Sequence, residues 1–317
     1  MNEGCVVGVD IGGTKIAAGL VDPHGNVITH QRFPMVARAG AEEGLAAVHT
    51  AIQAVLKQSS PGCRLRGIGI CSPGPLDPET GVIINPPNLP CWRHFALAER
   101  VSVLHQVPVK VENDANAAAL AEVKWGTARG FRNVFYTCIG TGIGTGIIND
   151  GVIYHGRSGA AGEGGHMGVD PNGPICACGK RGCIEVLASG PAIARRAQAK
   201  VKQDGSSILI AMAGGAIASI TSEMVDKASA EGDVVAQAVL SETIDLVAYW
   251  LGNIVDLLEP DVIVLGGGVA AMLAPHLGEL RHLWMGACVN PWPDKIPVVV
   301  ARYRNQAGIA GAAALLS

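Results

Sequence analysis

Two glycine-rich reversals constrain this chain more than any other feature. The β-branched run from Val6 to Asp10 stops at Gly12-Gly13, a second strand-like run reaches Val21, and Asp22-Pro23-His24-Gly25 turns the chain into a third, Val27 to Phe33. Glycine enters backbone conformations closed to other residues, so the pattern predicts three antiparallel strands joined by tight turns. A weaker echo follows: Asn133–Ile139 and Thr145–Ile148 flank Gly140-Thr141-Gly142-Ile143-Gly144, closed by Asn149-Asp150-Gly151, as in a duplicated fold.

Between and after these hairpins the pattern is mixed α/β. Leu45, Val48, Ile52, Val55 and Leu56 recur at helical spacing, and Leu65–Cys71 reads as a buried strand. Val107–Val111 is a strand leading into a helix over Ala115–Val123. Val234–Leu258 is helical up to Pro260, and the strand Val262–Leu265 runs into Gly266-Gly267-Gly268 and then a helix, an order that suits a nucleotide. Val298–Ala301 reads as a last strand and Gln306–Leu316 as a small-residue helix that packs back on the first domain.

At 317 residues the chain suits two domains around a cleft. The expected division is residues 1–115, with the helix 303–317 packing back on them, and residues 116–302. Although 49% of the residues are apolar, no uncharged apolar run reaches eighteen, so the hydrophobicity belongs to buried cores and no membrane partner is expected. The start of the chain shows no signal-peptide pattern, which points to the cytoplasm. A net charge of -3 with no basic stripe argues against nucleic acid.

The first turn, Asp10-Ile11-Gly12-Gly13-Thr14-Lys15, has phosphate chemistry: glycines bring backbone N–H groups close, Thr14 offers a hydroxyl, and Asp10 can hold hydrated Mg²⁺. An ordinary hairpin turn is the alternative. Neither glycine loop has the spacing of a Walker sequence or a dinucleotide fingerprint. Asp114, behind Asn113 at a strand end, either caps a helix or accepts a proton from a hydroxyl during phosphoryl transfer, and the two roles are compatible.

His166, Cys176, Cys178 and Cys183 put one imidazole and three thiolates within eighteen residues, a set that suits a closed, structural Zn²⁺ site. Of nine cysteines only these three cluster, and in a reducing compartment clustered cysteines are metal ligands before they are disulfides. The alternative is free thiols beside a surface histidine. Glu163 and Glu185 flank the loop, either as carboxylates that accept from sugar hydroxyls or as solvated surface residues.

Five ordered segments carry a resemblance: Asp10-Ile11-Gly12-Gly13-Thr14, Glu112-Asn113-Asp114-Ala115-Asn116, Gly140-Thr141-Gly142-Ile143-Gly144, Glu163-Gly164-Gly165-His166, and Cys176-Ala177-Cys178-Gly179 with Gly182-Cys183-Ile184-Glu185. With them the whole chain resembles the ROK family of sugar kinases and sugar-responsive repressors. The resemblance implies the actin-like ATPase (ribonuclease H-like) fold, two α/β domains around a central cleft. It implies Asp114 as catalytic base, and Asn113, Glu163, His166 and Glu185 as sugar ligands. The nucleotide's phosphates fall to Asp10, Gly12, Gly13, Thr14, Lys15, Gly140, Thr141, Gly142 and Gly144, and the adenosine to Gly266, Gly267 and Gly268. Ser72-Pro73-Gly74-Pro75 and Asn85–Asn88 resemble the family's small-domain sugar loop, which adds Gly74 and Asn88. One departure is Thr145, where many relatives have glycine, a side chain that would narrow the phosphate loop.

The expected activity is transfer of a phosphoryl group from ATP with Mg²⁺ to the 6-OH of a hexose. Glucose is the first acceptor, because the compact zinc loop from Cys176 to Cys183 and Ala188-Ser189-Gly190-Pro191-Ala192-Ile193-Ala194 resemble the glucokinase branch. N-acetylmannosamine, N-acetylglucosamine or fructose, a non-catalytic sugar-binding regulator, and polyphosphate as donor are the alternatives. Repressor members carry a DNA-binding segment ahead of the kinase body, whereas here the phosphate hairpin begins within ten residues of the start, which favours the enzyme. A homo-oligomer, dimer or tetramer, is expected.

Overall fold

The structure is a computed structural model that describes residues 4–59 and 63–317. In chain order it comprises β1 (Cys5–Ile11), β2 (Lys15–Val21), β3 (Val27–Pro34), α1 (Ala41–Leu56), β4 (Leu65–Ser72), the short β5 (Leu76–Asp77) and β6 (Val82–Ile83), α2 (Leu97–His105), β7 (Val109–Asn113), α3 (Asp114–Trp125), β8 (Val134–Ile139), β9 (Ile143–Asn149) and β10 (Val152–Ile153). There follow α4 (Ile184–Ala188), α5 (Gly190–Asp204), α6 (Ile208–Met212), α7 (Ser222–Ala230), α8 (Val234–Leu258), β11 (Val262–Gly266), α9 (Gly268–Leu273), α10 (Leu277–Met285), β12 (Val298–Val300) and α11 (Ala307–Ala314). Sequence periodicity anticipated most of these; it named no helix at α2, α4, α5, α6, α7 or α10 and no strand at β5, β6 or β10.

The first sheet has the order β3-β2-β1-β4-β7. β1, β2 and β3 pair antiparallel through tight turns, whereas β4 and β7 join β1 in parallel, which requires longer crossovers. The second sheet repeats the pattern as β10-β9-β8-β11-β12, with β9–β10 antiparallel and β11–β12 parallel. The turn at Asp150-Gly151, with φ 56° and 82°, joins β9 to β10, while the glycine loop joins β8 to β9.

Apart from Asp10 near its end, β1 is apolar because both its faces are covered. Val7, Val9 and Ile11 belong to the core with Val48, Ile52 and Val55 of α1, and Val6 packs with Ile309 and Ala313 of α11. Helix α11 lies directly on the sheet backbone. A Cβ on Gly8 would stand 2.0 Å from the carbonyl oxygen of Ile309, and one on Gly69 would stand 1.7 Å from that of Ala312. Only glycine on the strands and small residues on the helix permit that approach.

Two compact units make up the chain: Met1–Tyr136 with Gly146–Gly162 and Ala301–Ser317, and Thr137–Thr145 with Glu163–Val300. This differs from the division at 115/116 read from the sequence. Residues 116–136 and 146–162 cluster with the first unit because α3 packs against α11, and because Gly146 abuts α3, where a Cβ would meet the carbonyl oxygen of Ala115 at 2.7 Å. In the second unit α8 is long and apolar enough to cross a membrane by length and composition, but Val239, Val247, Leu251 and Val255 are buried in a helix layer with α4, α5, α7 and α10. Cys5 and Cys63 are joined as a disulfide, a pair the sequence reading did not anticipate. The parallel register of β1 and β4 brings their Cα atoms to 6.4 Å.

Candidate active site

In the first unit, parallel register collects functional groups at the carboxyl ends of three strands, the usual ligand edge of such sheets. Asp10 pairs with Cys71, Cys71 with Glu112, and Ser72 with Asn113. Burial pushes the Asp10 carboxyl above its ordinary value, opposed by the Cys71 thiol, which lies 3.5 Å from Oδ1, and by the charges of Lys15 and Arg32. Burial also holds the Cys71 thiol far above its usual range, with the Asp10 and Asp114 charges adding to it.

The Gly12-Gly13-Thr14 turn is closed by Gly12 N–H donating to Lys15 O at 2.9 Å. A Cβ on Gly13 would meet Asn88 O at 2.8 Å, so glycine is what lets exposed Asn88 lie against this turn. Gly74 follows β4 and forms a cis peptide with Pro75. Asn113 caps α3: its Oδ1 accepts from Ala115 N at 2.9 Å and from Asn116 N at 3.3 Å. Asp114 begins the helix with its side chain exposed, and its Oδ1 accepts from Ala115 N at 2.8 Å. It therefore supports the first turn of the helix while its carboxylate stays exposed.

In the second unit the ligand atoms of His166, Cys176, Cys178 and Cys183 all lie within 4.8 Å of one another. Cys178 Sγ and Cys183 Sγ are 3.6 Å apart, and Cys176 Sγ is 3.7 Å from His166 Nδ1. A tetrahedron with Zn–S bonds of about 2.3 Å has edges of about 3.8 Å, so the donor set fits that ion in type, number and spacing. Burial, reinforced by hydrogen bonds of the Cys183 thiol with Cys178 and Cys176, pushes that thiol up to about 12. The backbone N–H of Lys180 draws Cys178 downward. Three sulfurs this close become thiolates together only beside a cation.

The same loop holds the two glutamates. Glu163 is exposed, and its carbonyl accepts from His166 N at 3.0 Å. Glu185 stands at the start of α4; its Oε2 accepts from Ile143 N at 2.9 Å and its Oε1 lies 3.9 Å from His166 Nδ1. Thr145 Oγ1 accepts from Gly164 N at 2.8 Å. Its hydroxyl is thus tied to the segment carrying Glu163.

Gly140, Thr141 and Gly268 line one cavity of about 460 Å³ with Glu223, Asp226 and Met272. Gly267 has φ 85°, and a Cβ there would strike Ile139 O at 2.3 Å, which explains a glycine where β11 meets the end of β8. The carboxyl of Glu223 is held low by the hydroxyl of Thr221. Sequence reasoning missed Glu223 and Asp226: a Thr-Ser-Glu helix start is common, and nothing in it points to glycines eighty residues upstream.

The ROK family profile matches residues 6–317. The chain belongs to the ROK family. Among curated ROK relatives, the glucokinase of Streptomyces coelicolor (strain ATCC BAA-471 / A3(2) / M145) is 34% identical over 98% of this chain and 97% of its own length. That of Thermotoga maritima (strain ATCC 43589 / DSM 3109 / JCM 10099 / NBRC 100826 / MSB8) is 32% identical over 98% and 96%. The N-acetylmannosamine kinase of Salmonella typhi is 29% identical over 97% and 96%. Among solved structures, a ROK family glucokinase from Streptomyces griseus in complex with glucose and AMPPNP superposes with TM-score 0.83, 32% identity and 99% coverage of both chains. This ROK chain accordingly has the actin-like ATPase fold.

Proposed function

We propose that this ROK protein is a glucokinase that transfers the γ-phosphoryl group of ATP to the 6-OH of glucose. The observation that carries the reading is the whole-chain likeness to glucokinases, including one solved with glucose and AMPPNP. The motif residues are arranged in support of it. Exposed Asp114, fixed at the start of α3, accepts the proton of the sugar hydroxyl as it attacks phosphorus. Asn113, Glu163, His166, Glu185, Gly74 and Asn88 are the residues assigned to the sugar. Backbone N–H groups of Gly12–Lys15 and Gly140–Gly144 take the phosphates, and Gly266–Gly268 with the 460 Å³ cavity takes the adenosine.

Asp10 holds hydrated Mg²⁺, which supplies charge neutralisation on the phosphates. His166, Cys176, Cys178 and Cys183 hold Zn²⁺, which orders the loop bearing Glu163 and Glu185. We place the protein in the cytoplasm as a homo-oligomer.

A kinase for N-acetylmannosamine is the second reading, supported by the 29% relative. The two differ at the sugar 2-position, where a site closed around a hydroxyl lacks room for an acetamido group. Comparing kcat/KM for glucose, mannose, fructose, N-acetylglucosamine and N-acetylmannosamine with ATP and Mg²⁺ tests this. Either N-acetylated sugar beating glucose by about tenfold, or about 1.4 kcal/mol of transition-state binding, overturns glucose. Glucose affinity without ADP release would instead mark a regulator.

A further inference from the structure

His155 follows β10 in a segment pinned by Tyr154 N donating to Ile147 O at 2.8 Å and Ala161 N donating to His155 O at 3.2 Å. Its Nε2 meets Glu112 Oε2 at 2.7 Å, and because a carboxylate only accepts, the ring nitrogen is the donor. The Glu112 side chain is 5% exposed. Its other oxygen accepts from Asn113 N at 2.8 Å and from Asn116 Nδ2 at 3.1 Å. Asn116 Oδ1 is buried without a partner, so the bond to Glu112 is what orients that amide. Asn113 and Asn116 flank Asp114, and the cap bonds from Asn113 start the helix that carries it.

A buried carboxylate keeps its place only while its lone pairs are engaged. Two donors to Glu112 are local to its own strand and helix, whereas the third comes from 43 residues away. Of the lysines that line the same 440 Å³ cavity, Lys124 does not substitute for it, since it donates instead to the carbonyls of Ala314 and Ser317.

We infer that His155 is a positioning residue for the catalytic carboxylate: by holding Glu112 it fixes Asn113 and Asn116, and so the direction in which Asp114 meets the sugar hydroxyl. The inference rests on Asp114 being the base. Losing the imidazole lets Glu112 turn toward the cavity, and a small rotation of the first turn of α3 moves the base out of line, a change felt in turnover before affinity.

The test compares kcat and KM for glucose, at saturating ATP, in His155→Ala, His155→Gln, Asp114→Asn and the double variant His155→Ala/Asp114→Asn. Because His155 is 33% exposed on a cavity, truncation gives its place to water, and the Ala variant folds. His155→Ala is expected to lower kcat about tenfold or more with KM within about threefold. His155→Gln, whose amide can donate to the same carboxylate, should recover kcat to within about threefold of the parent. On the Asp114→Asn background the Ala substitution should cost less than about twofold, because residues acting through one another are not additive. Parental kcat in His155→Ala, equal losses in the Ala and Gln variants, or a full tenfold loss repeated on the Asp114→Asn background each overturns the inference while the base assignment stands. Normal turnover in Asp114→Asn overturns the base assignment itself, and this inference with it.

Discussion

Glu185 Oε2 accepts a hydrogen bond from the backbone N–H of Ile143 at 2.9 Å, joining the Cys/His loop to the second glycine loop. A carboxylate proposed to hold sugar thereby also sets the shape of a loop proposed to hold phosphate. Glu185→Ala should therefore raise KM for glucose and for ATP together, each by about tenfold, the scale of one charge-assisted bond. Gly142→Ala should do the same more weakly, since its Cβ would stand 2.6 Å from that Oε2 and displace it. Steady-state kinetics with each substrate varied in turn decides, and an effect confined to glucose would sink the coupling.

Asp114→Asn should lower kcat by at least about 10², while glucose binding stays within a few-fold. Asparagine keeps an acceptor for Ala115 N, so melting should shift by no more than about 0.5 kcal/mol in stability. Intrinsic fluorescence titration with glucose and thermal melting separate the chemical role from the cap. Turnover near that of the parent would leave only the cap.

Protein purified without chelator should carry one zinc per chain, read by elemental analysis. Cys178→Ser, at an exposed ligand position, should lose most of it and raise KM for glucose more than KM for ATP, because Glu163 and His166 lose their support. Zinc-free parent protein with unchanged glucose KM would contradict a structural metal.

Two carboxylates line the cavity assigned to the nucleoside, Glu223 and Asp226. They can accept from ribose hydroxyls and repel a bare polyanion. Glu223→Gln/Asp226→Asn should raise KM for ATP by about tenfold and leave KM for glucose unchanged. Polyphosphate should be a poor donor for the parent and less disfavoured in the variant. Equal use of both donors by the parent would refute this role for the pair.

Much of the fold was legible because its strands and glycines obey local rules. The run from Val6 to Asp10, the reversal at Gly12-Gly13 and the turn at Gly25 fixed the first hairpins, and the long apolar periodicity from Val234 to Leu258 matched α8 end to end. The Cys/His cluster was legible for the same reason: Cys176, Cys178 and Cys183 are close in sequence, and a short loop cannot carry them far apart. Helices α5 and α7 were harder, with apolar positions interleaved among polar ones and no marked boundary.

The sequence by itself determined the local chemistry: which turns need glycine, which residues offer carboxylate, thiol or imidazole, and that Asn113-Asp114 opens a helix. Only the tertiary structure decided which distant residues meet. Parallel pairing of β1, β4 and β7 set Asp10 beside Cys71 and Ser72 beside Asn113, and the fold carried Glu185 to Ile143, Thr145 to Gly164 and His155 to Glu112. The physical reason is that periodicity and turn chemistry act over a few residues, whereas these contacts are fixed by strand register and by how closely helices pack on a sheet. That closeness depends on single absent side chains, as at Gly8 and Gly69 beneath α11.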